Sequence, residues 1–594
     1  MGVPVLVGWA AGDVAAGLMA TIGAFTALYG GDRPYLNRAI HLAAIAVSFA
    51  LAVMLGVWAA GTPPLVVPVV VLIAMAATFL CNALRVGPPG AYMFALACAA
   101  GTGMPIGHFS IAHVGLLVLA GGSFAWLAHM STALVWPRGP ERTAIAAAAQ
   151  AVARFVATVG TPGEDGARHA AALAMHHAWA TLVTRQPARP RPNGSLSRLR
   201  SLNRELHLLF ASVMNASISG GAPPAAAAEK ARAIAAQAMD TTSQAERTEP
   251  AHIPLGHHRV SELLREGLRP WSPALLAAAR VGVATAIAGT IGATLGLERA
   301  YWTMAAAVLI LHQGLDWARS LQRGVERMSG TIVGLALAGA ILAAHPGGLW
   351  LAVTLMLLQF VIEMTVIRNY ALAVVFITAA ALTIATGGHP TPHVEHVLWV
   401  RGVDTVIGCV TGLAILALTT PRAVALRIPQ ELANTLAASK RVLDHAAAGD
   451  VTAPEARQAR RDLQHRTIVL LDAYDSSAGA KPWQRDAAVR SWPAVMAAQR
   501  LAYRVLSTCW SLEEAGAQAV ERARALFGPD GPAEIGDALA ALSEAVRLGA
   551  RPEPLPLVPE FLGMEMRNLH DSLVYAGNGG SGEPGARHSD SASA

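Results

Sequence analysis

The stretch YWTMAAAVLILHQGLDWARSLQRGVERMSGTIVG, from Tyr301 to Gly334, decides how the rest of the chain is interpreted. An apolar helix ends at His312, a short basic connector with three regularly spaced arginines follows, and Gly330 opens a second apolar helix. Two apolar helices joined by a basic turn are typical of a membrane hairpin whose turn lies in the cytoplasm. The remaining sequence either flanks this hairpin or repeats it near the N-terminus.

Apolar residues dominate the 594-residue chain: 54% of residues are hydrophobic and only 14% are charged, against about 25% charged in ordinary globular proteins. They concentrate in two blocks whose runs approach the ~20 residues needed to cross the hydrocarbon core as a helix. The composition therefore predicts an all-α polytopic membrane protein. The net charge of +6 comes from basic residues beside the spans, as the positive-inside rule expects, so no nucleic-acid partner is predicted.

The apolar blocks alternate with Ala-rich amphipathic segments that predict helical cytoplasmic regions. The predicted order is a first transmembrane repeat (1–136), a helical cytoplasmic region (137–273), a second transmembrane repeat (274–420), a C-terminal helical cytoplasmic region (421–576) and a disordered tail (577–594). Helical patterning in the first cytoplasmic region covers 141–160, 167–184, 197–216 and 224–240. The tail is rich in glycine and serine, a composition typical of disorder.

The two apolar blocks align as copies at a constant offset of 284 residues, with Gly12 on Gly296 and Asp32 on Asp316. The exit dipeptide Pro137-Arg138 also falls on Pro421-Arg422. The pattern predicts two parallel repeats of about six helices, about eleven or twelve spans in all, with a pathway between the halves. On this register the first copy begins late, so its opening helix is expected to be truncated or the true start codon to lie upstream.

The residues from Tyr301 to Gly334, with their YW start, evenly spaced arginines and GT-x2-G helix, resemble the fusaric acid resistance (FUSC-like) family, which includes aromatic acid exporters. The segment Arg368-Asn369-Tyr370 and the segment from Arg401 through Asp404 to Gly408 are similar to later motifs of that family. The block layout matches as well, so the resemblance covers nearly the whole chain. It implies an inner-membrane protein that exports organic, often aromatic, carboxylic acids. Some Gram-negative members work with a periplasmic adaptor, and plant aluminium-activated malate channels look like distant relatives.

Three arginines of the connector, Arg319, Arg323 and Arg327, recur every four residues and so share one face of a helix. Three guanidinium groups at a cytoplasmic mouth would attract an organic anion and could bind its carboxylate. The alternative is an anchor beside lipid headgroups, with Asp316 neutralising part of the charge. Both interpretations leave these arginines near the membrane surface.

Further candidate transport residues lie at helix ends or inside spans: His312, Gln313, Asp316, Glu363, Arg368, Tyr370, Arg401 and Asp404. Asp404 follows Arg401 by one turn, and an ionisable pair inside a span is costly and often functional. It can also be an intrahelical ion pair that merely holds the helix end. His312 is either a proton relay or a polar end cap, and Glu363 could pair with Arg368.

Small and aromatic residues suggest packing and interface roles. Gly330, Thr331 and Gly334 have the small-xxx-small spacing that lets membrane helices approach closely.

Tyr301, Trp302 and Trp399 are predicted to lie in an aromatic belt at the outer interface; the alternative is stacking on an aromatic substrate. The four cysteines lack the paired spacing of a zinc site, so they are expected to be packing residues.

The sequence contains no Walker loop, no nucleophile elbow and no zinc-protease motif, so no enzyme activity, no cofactor and no metal site is predicted. The leading hypothesis is a secondary exporter of organic acids, in particular aromatic carboxylic acids, in the bacterial plasma membrane, driven by the proton gradient. A passive organic-anion channel and a membrane-anchored scaffold for a cell-envelope partner are the alternatives. The expected partners are the lipid bilayer, a small organic anion, further copies of the chain and, in a Gram-negative cell, a periplasmic adaptor.

Overall fold

A computed structural model of the protein describes most of the chain. The described residues are 2–103, 109–184, 186, 194–218, 221–241, 260–270, 272–297, 301–312, 317–366, 368–386, 393–419, 427–478, 482–529, 531–556 and 560–578. These residues form helices and no strands, which confirms the all-α fold class.

The helices follow the apolar and amphipathic runs of the sequence. Up to residue 267 they are α1 (Gly2–Ala10), α2 (Val14–Ala24), α3 (Tyr35–Ala60), α4 (Pro63–Ala83), α5 (Tyr92–Gly103), α6 (Ile111–Val135), α7 (Gly139–Thr158), α8 (Glu164–Trp179), α9 (Ser195–Ile218), α10 (Ala227–Met239) and α11 (Val260–Gly267). They continue as α12 (Pro273–Thr294), α13 (Tyr301–Leu311), α14 (Trp317–Ala343), α15 (Leu349–Thr365), α16 (Tyr370–Thr386), α17 (Val394–Thr419), α18 (Arg427–Ala447), α19 (Pro454–Ala478), α20 (Pro482–Ala515), α21 (Ala519–Phe527), α22 (Gly531–Leu548) and α23 (Glu560–Asn578).

The helices form two compact units, each built from two separate parts of the chain. The membrane unit comprises Met1–Arg142 and His257–Pro421, and the helical unit comprises Thr143–Gly256 and Arg422–Ala594. Within the described residues, six helices of the membrane unit are long and apolar enough to cross a bilayer: α3, α4, α6, α12, α17 and the segment Ser320–Ala343 of α14. Five shorter apolar helical segments accompany them.

The first apolar stretch of the chain is broken where α1 ends and α2 begins. Gly12 has a φ of +79°, a backbone conformation that glycine adopts without a Cβ clash. The carboxylate of Asp13 then accepts a hydrogen bond of 2.9 Å from the backbone N–H of Ala16. Asp13 therefore caps α2, because its side chain satisfies a backbone donor that the first turn leaves open.

The basic connector of the sequence interpretation is itself helical. The interpretation that Gly330 opens the second apolar helix is wrong, since α14 already begins at Trp317. Between Trp317 and Gly330 the chain has no proline and mostly residues of good helix propensity, arginine among them. The side chain of Arg327 consequently lies about 15 Å along the helix from its first residue and is buried.

The glycines predicted to pack lie where α14 crosses α16. A Cβ added at Gly330 would lie 2.4 Å from the backbone oxygen of Ala371, and one at Gly334 would lie 2.7 Å from that of Val375. Thr331 beside them is 1% exposed. The backbones thus approach more closely than any larger residue permits, as small-xxx-small spacing allows.

The helical unit joins two segments that are far apart in the sequence. Helix α9, from the first segment, packs against α20 from the second. The ring centroids of Phe210 and Tyr503 are 5.5 Å apart, and those of His207 and Trp510 are 5.6 Å apart. The two regions predicted as separate from the sequence therefore contribute to one unit.

A buried ion pair stabilises the second segment of the helical unit. The Arg460 guanidinium donates to the Glu513 carboxylate at 3.0 Å and to the Val451 backbone oxygen at 3.1 Å. The two charged side chains are only 2% and 5% exposed. Burial in the same core raises the pKa of the Cys509 thiol to about 11, so this cysteine is a neutral packing residue at neutral pH.

Replacing Glu513 by alanine is expected to destabilise the protein by about 3–5 kcal/mol, because the Arg460 charge is then buried without its counter-ion. The thermal midpoint of the purified full-length protein should fall by about 10 °C. The control is Glu544→Ala, which breaks a pair with Arg547 whose side chains are 59% and 44% exposed and should cost below about 1 kcal/mol. Equal decreases of the thermal midpoint in the two variants would show that the buried pair contributes no more to stability than the exposed one.

Candidate functional site

The candidate site begins where α13 crosses α17. A Cβ added at Gly408 would lie 2.3 Å from the backbone oxygen of Thr303, so the crossing depends on the missing side chain. A Cβ at Gly412, one turn later, would lie 3.0 Å from Ile310 Cβ. This close approach brings Trp302 of α13 against Arg401 of α17.

Arg401 is buried with its guanidinium on an aromatic face. The side chain is 2% exposed, and its Cζ lies 3.8 Å from the ring centroid of Trp302, the geometry of a cation–π contact. Its Nε and Nη2 have no hydrogen-bond partner among the described residues. These two nitrogens form one edge of the planar guanidinium, the edge that can grip a carboxylate with two parallel hydrogen bonds.

Asp404 lies one turn along the same helix and is completely buried, at 0% exposure. It is close enough to Arg401 for the two opposite charges to interact. The pair predicted from the sequence is therefore brought together, well inside α17. Arg401 itself lies about 10 Å along the helix from its first residue, Val394.

A second buried arginine comes from α14. Arg327 is 3% exposed, and its guanidinium is hydrogen-bonded to the hydroxyl group of Tyr370, at the start of α16. It also interacts electrostatically with Tyr92 of α5 and with Arg401. We call the set Trp302, Arg327, Tyr370, Arg401, Asp404 and Tyr92 the arginine cluster.

The arginine cluster carries an uncommon amount of charge for a membrane interior. Ionisable groups inside spans are expensive to bury and mark substrate or ion pathways. Here two guanidinium groups are accompanied by one carboxylate, and phenol and indole rings surround them. The electrostatics of the cluster favour an anion, and its rings offer faces on which an aromatic ligand can stack.

A cleft leads to the cluster along one side of α17. It is lined by Trp302, Leu382, His396, Val397, Val400, Arg401 and Asp404, and it is partly open to the surroundings. His396 is exposed near the first turn of α17, whereas Arg401 and Asp404 are buried further along. The lining of the cleft therefore runs from an exposed residue near the start of α17 to the buried Arg401 and Asp404.

His312 lies beside the cluster at the end of α13. Its ring is 3% exposed, Nδ1 lies 3.0 Å from the Leu309 backbone oxygen and Nε2 lies 3.2 Å from that of Pro89. These contacts tie the end of α13 to the turn before α5. The geometry favours the polar end cap over the proton relay.

The other predicted residues lie elsewhere or outside the described part. Glu363 is exposed and accepts a hydrogen bond of 2.7 Å from Gln359, and Arg368 is also exposed. Arg323 is half-buried, one turn before Arg327. Gln313, Asp316 and the side chain of Arg319 lie outside the described residues.

The aromatic-belt prediction is wrong for two of its three residues. Tyr301 and Trp302 are buried, at 6% and 7% exposure, whereas Trp399 is 72% exposed. The reason is that α13 is surrounded by other helices, among them α5, α12 and α17, so its first turn does not face lipid. The sequence signal available for this site was the YW pair together with Arg401. The aromatic-belt rule assigned the YW pair to the membrane interface and therefore did not place it next to Arg401.

The fold and the arginine cluster together define a helical membrane protein with a buried cationic centre. Residues 286–415, which include most of that centre, match the family described as fusaric acid resistance protein-like, and the resemblance found in the sequence is thereby confirmed. Members of this family are membrane transporters rather than enzymes, so the match indicates transport or efflux as the class of function.

Two relatives extend the comparison. The chain is 29% identical to the membrane protein YvaC of Bacillus subtilis (strain 168) over 547 residues, which is 85% of this chain and 83% of the relative. It is 33% identical to the protein YhfK of Escherichia coli (strain K12) over 148 residues, 23% of this chain and 19% of the relative. The first alignment covers most of both chains, so this chain is similar to a membrane protein over most of its length.

Proposed function

We propose that the protein exports aromatic carboxylic acids across the plasma membrane and that the arginine cluster is its substrate site. The observation that carries this proposal is Arg401, a buried guanidinium stacked on Trp302 whose Nε and Nη2 have no hydrogen-bond partner among the described residues. A buried donor without a partner costs about 1–3 kcal/mol or more. A carboxylate that enters through the cleft would satisfy both donors at once.

The proposed path follows two parallel repeats. Helix α3 packs against α5 and α6 as α14 packs against α16 and α17, and α1 packs against α15 as α12 packs against α4. Gly12 and Gly296, which the sequence register pairs, have φ values of +79° and +65°. These correspondences support a duplication, and the contribution of Tyr92 from the first half supports a pathway where the halves meet.

The proposed topology has both segments of the helical unit in the cytoplasm. Segments that fold into one unit lie on one side of the membrane, so the membrane block between them must cross an even number of times. Six helices, α12 to α17, lie in this block. Three of them, α12, α14 and α17, are long and apolar enough to cross a bilayer, and the proposed topology has the three shorter ones cross as well. The positive-inside rule favours the cytoplasm for the basic flanks. The bilayer and an organic anion are the partners that this function requires; a homo-oligomer and a periplasmic adaptor stay predictions.

The test is the accumulation of radiolabelled benzoate in cells that produce the protein and in cells with an empty vector. We expect lower accumulation in the producing cells and loss of the difference when an uncoupler dissipates the proton gradient. A flux that follows only the benzoate gradient and ignores the uncoupler would identify a passive channel. Equal accumulation across a panel of aromatic acids, with the protein verified in the membrane, would reject transport of this class.

A further inference from the structure

The net charge of the arginine cluster bears on how many negative charges its ligand can carry. Its three ionisable groups with full burial are Arg327, Arg401 and Asp404, which are 3%, 2% and 0% exposed. In their ordinary charged forms they sum to +1. Trp302, Tyr92 and Tyr370 are not counted among the charged side chains.

The Asp404 carboxylate does not increase the affinity of the site for an anion. Its carboxylate lies on the same helix as Arg401 and close enough to interact with it, so it weakens the attraction of Arg401 for any incoming anion. The cluster would hold a carboxylate more tightly if a neutral residue stood at this position. A buried negative charge that lowers the affinity for every anion has a use when it lowers the affinity for some anions more than for others.

We propose that Asp404 restricts the cluster to ligands with a single negative charge. This inference rests on the proposed function, because it concerns the same site. One monocarboxylate brings the cluster from +1 to neutrality, whereas a dicarboxylate leaves an uncompensated negative charge. In a poorly hydrated interior an uncompensated charge is far more costly than in water. The substrate class is therefore an aromatic monocarboxylate, and dicarboxylates of the same shape are excluded by charge.

Two probes of equal shape separate charge from size. Isophthalate carries two carboxylates, and 3-carbamoylbenzoate replaces one of them by a carboxamide, so the two differ by one negative charge. Binding is measured at pH 8 by calorimetry on the full-length protein in lipid nanodiscs. For the unmodified protein we expect the Kd of isophthalate to exceed that of 3-carbamoylbenzoate about tenfold or more.

The variant Asp404→Asn removes the buried negative charge while keeping the size of the side chain. We expect the ratio of the two Kd values to fall about tenfold or more, because the cluster then carries +2 and accommodates the dianion. The control is Glu395→Gln, which removes the same charge from the exposed first turn of the same helix. It is expected to leave the ratio within about twofold, since an exposed charge is screened by solvent.

The outcomes distinguish the inference from the function on which it rests. Equal Kd values of the two probes for the unmodified protein would overturn the inference even if Asp404→Asn fails to fold. An unchanged ratio in a folded Asp404→Asn would overturn it as well, while binding of 3-carbamoylbenzoate would still support the proposed function. If neither probe nor benzoate binds the unmodified protein, the substrate site itself is rejected. A ratio that falls in Asp404→Asn and not in Glu395→Gln supports the inference.

Discussion

Replacement of Arg401 by alanine is expected to weaken benzoate binding at least about thirtyfold. The side chain supplies both the positive charge and the free pair of donors, and truncation of one partner of a buried, hydrogen-bonded charge pair costs about 2–5 kcal/mol. The substitution also removes the group that compensates Asp404, so folding must be followed separately. Calorimetry in nanodiscs measures the affinity, and the thermal midpoint reports the fold.

Arg401→Lys separates charge from geometry at this position. Lysine keeps the positive charge but cannot offer two coplanar donors or stack a planar cation on Trp302. We expect a loss of about tenfold, intermediate between the unmodified protein and the alanine variant. Arg368→Ala, which removes an exposed arginine outside the arginine cluster, is the control and should retain full affinity. Benzoate binding that is insensitive to both Arg401 variants would remove this residue from the site.

The second large effect is expected at Arg327. Arg327→Gln should reduce the initial rate of benzoate efflux from proteoliposomes about tenfold or more, because it removes one of the two buried positive charges that attract the anion and abolishes the contact with Tyr370. Tyr370→Phe removes only the hydroxyl group. It is expected to lower the rate about fivefold, in line with one hydrogen bond of about 1 kcal/mol.

Arg323→Gln is the matched control for Arg327→Gln. The two residues are one turn apart on α14, but Arg323 is half-buried whereas Arg327 is 3% exposed. We expect Arg323→Gln to keep the efflux rate within about twofold, because a partly solvated charge acts weakly at a distance. Comparable losses of efflux rate in the two variants would instead favour the prediction made from the sequence, in which the arginines on this helix face act together at the cytoplasmic mouth.

The sequence did not predict the burial of Arg327 and Trp302, and the physical reason is the same for both. Positive charges next to an apolar run indicate a membrane surface, and an aromatic pair at a helix start indicates an interfacial belt. Both rules describe an isolated helix beside lipid. Arg327 and Trp302 instead face neighbouring helices, where the hydroxyl group of Tyr370 contacts the guanidinium of the first and Arg401 covers the ring of the second.

The amino-acid sequence by itself determined the helical membrane class, the family resemblance and the spacing of Arg401 and Asp404 by one helical turn. These follow from local properties: the length of an apolar run, a motif within a short segment and the period of a helix. Only the tertiary structure decided that two distant segments form one helical unit and that Trp302, Arg327 and Arg401 meet. Such contacts depend on where helices cross, and the crossing of α13 and α17 depends on close backbone approach at Gly408, which no periodicity along a single helix encodes.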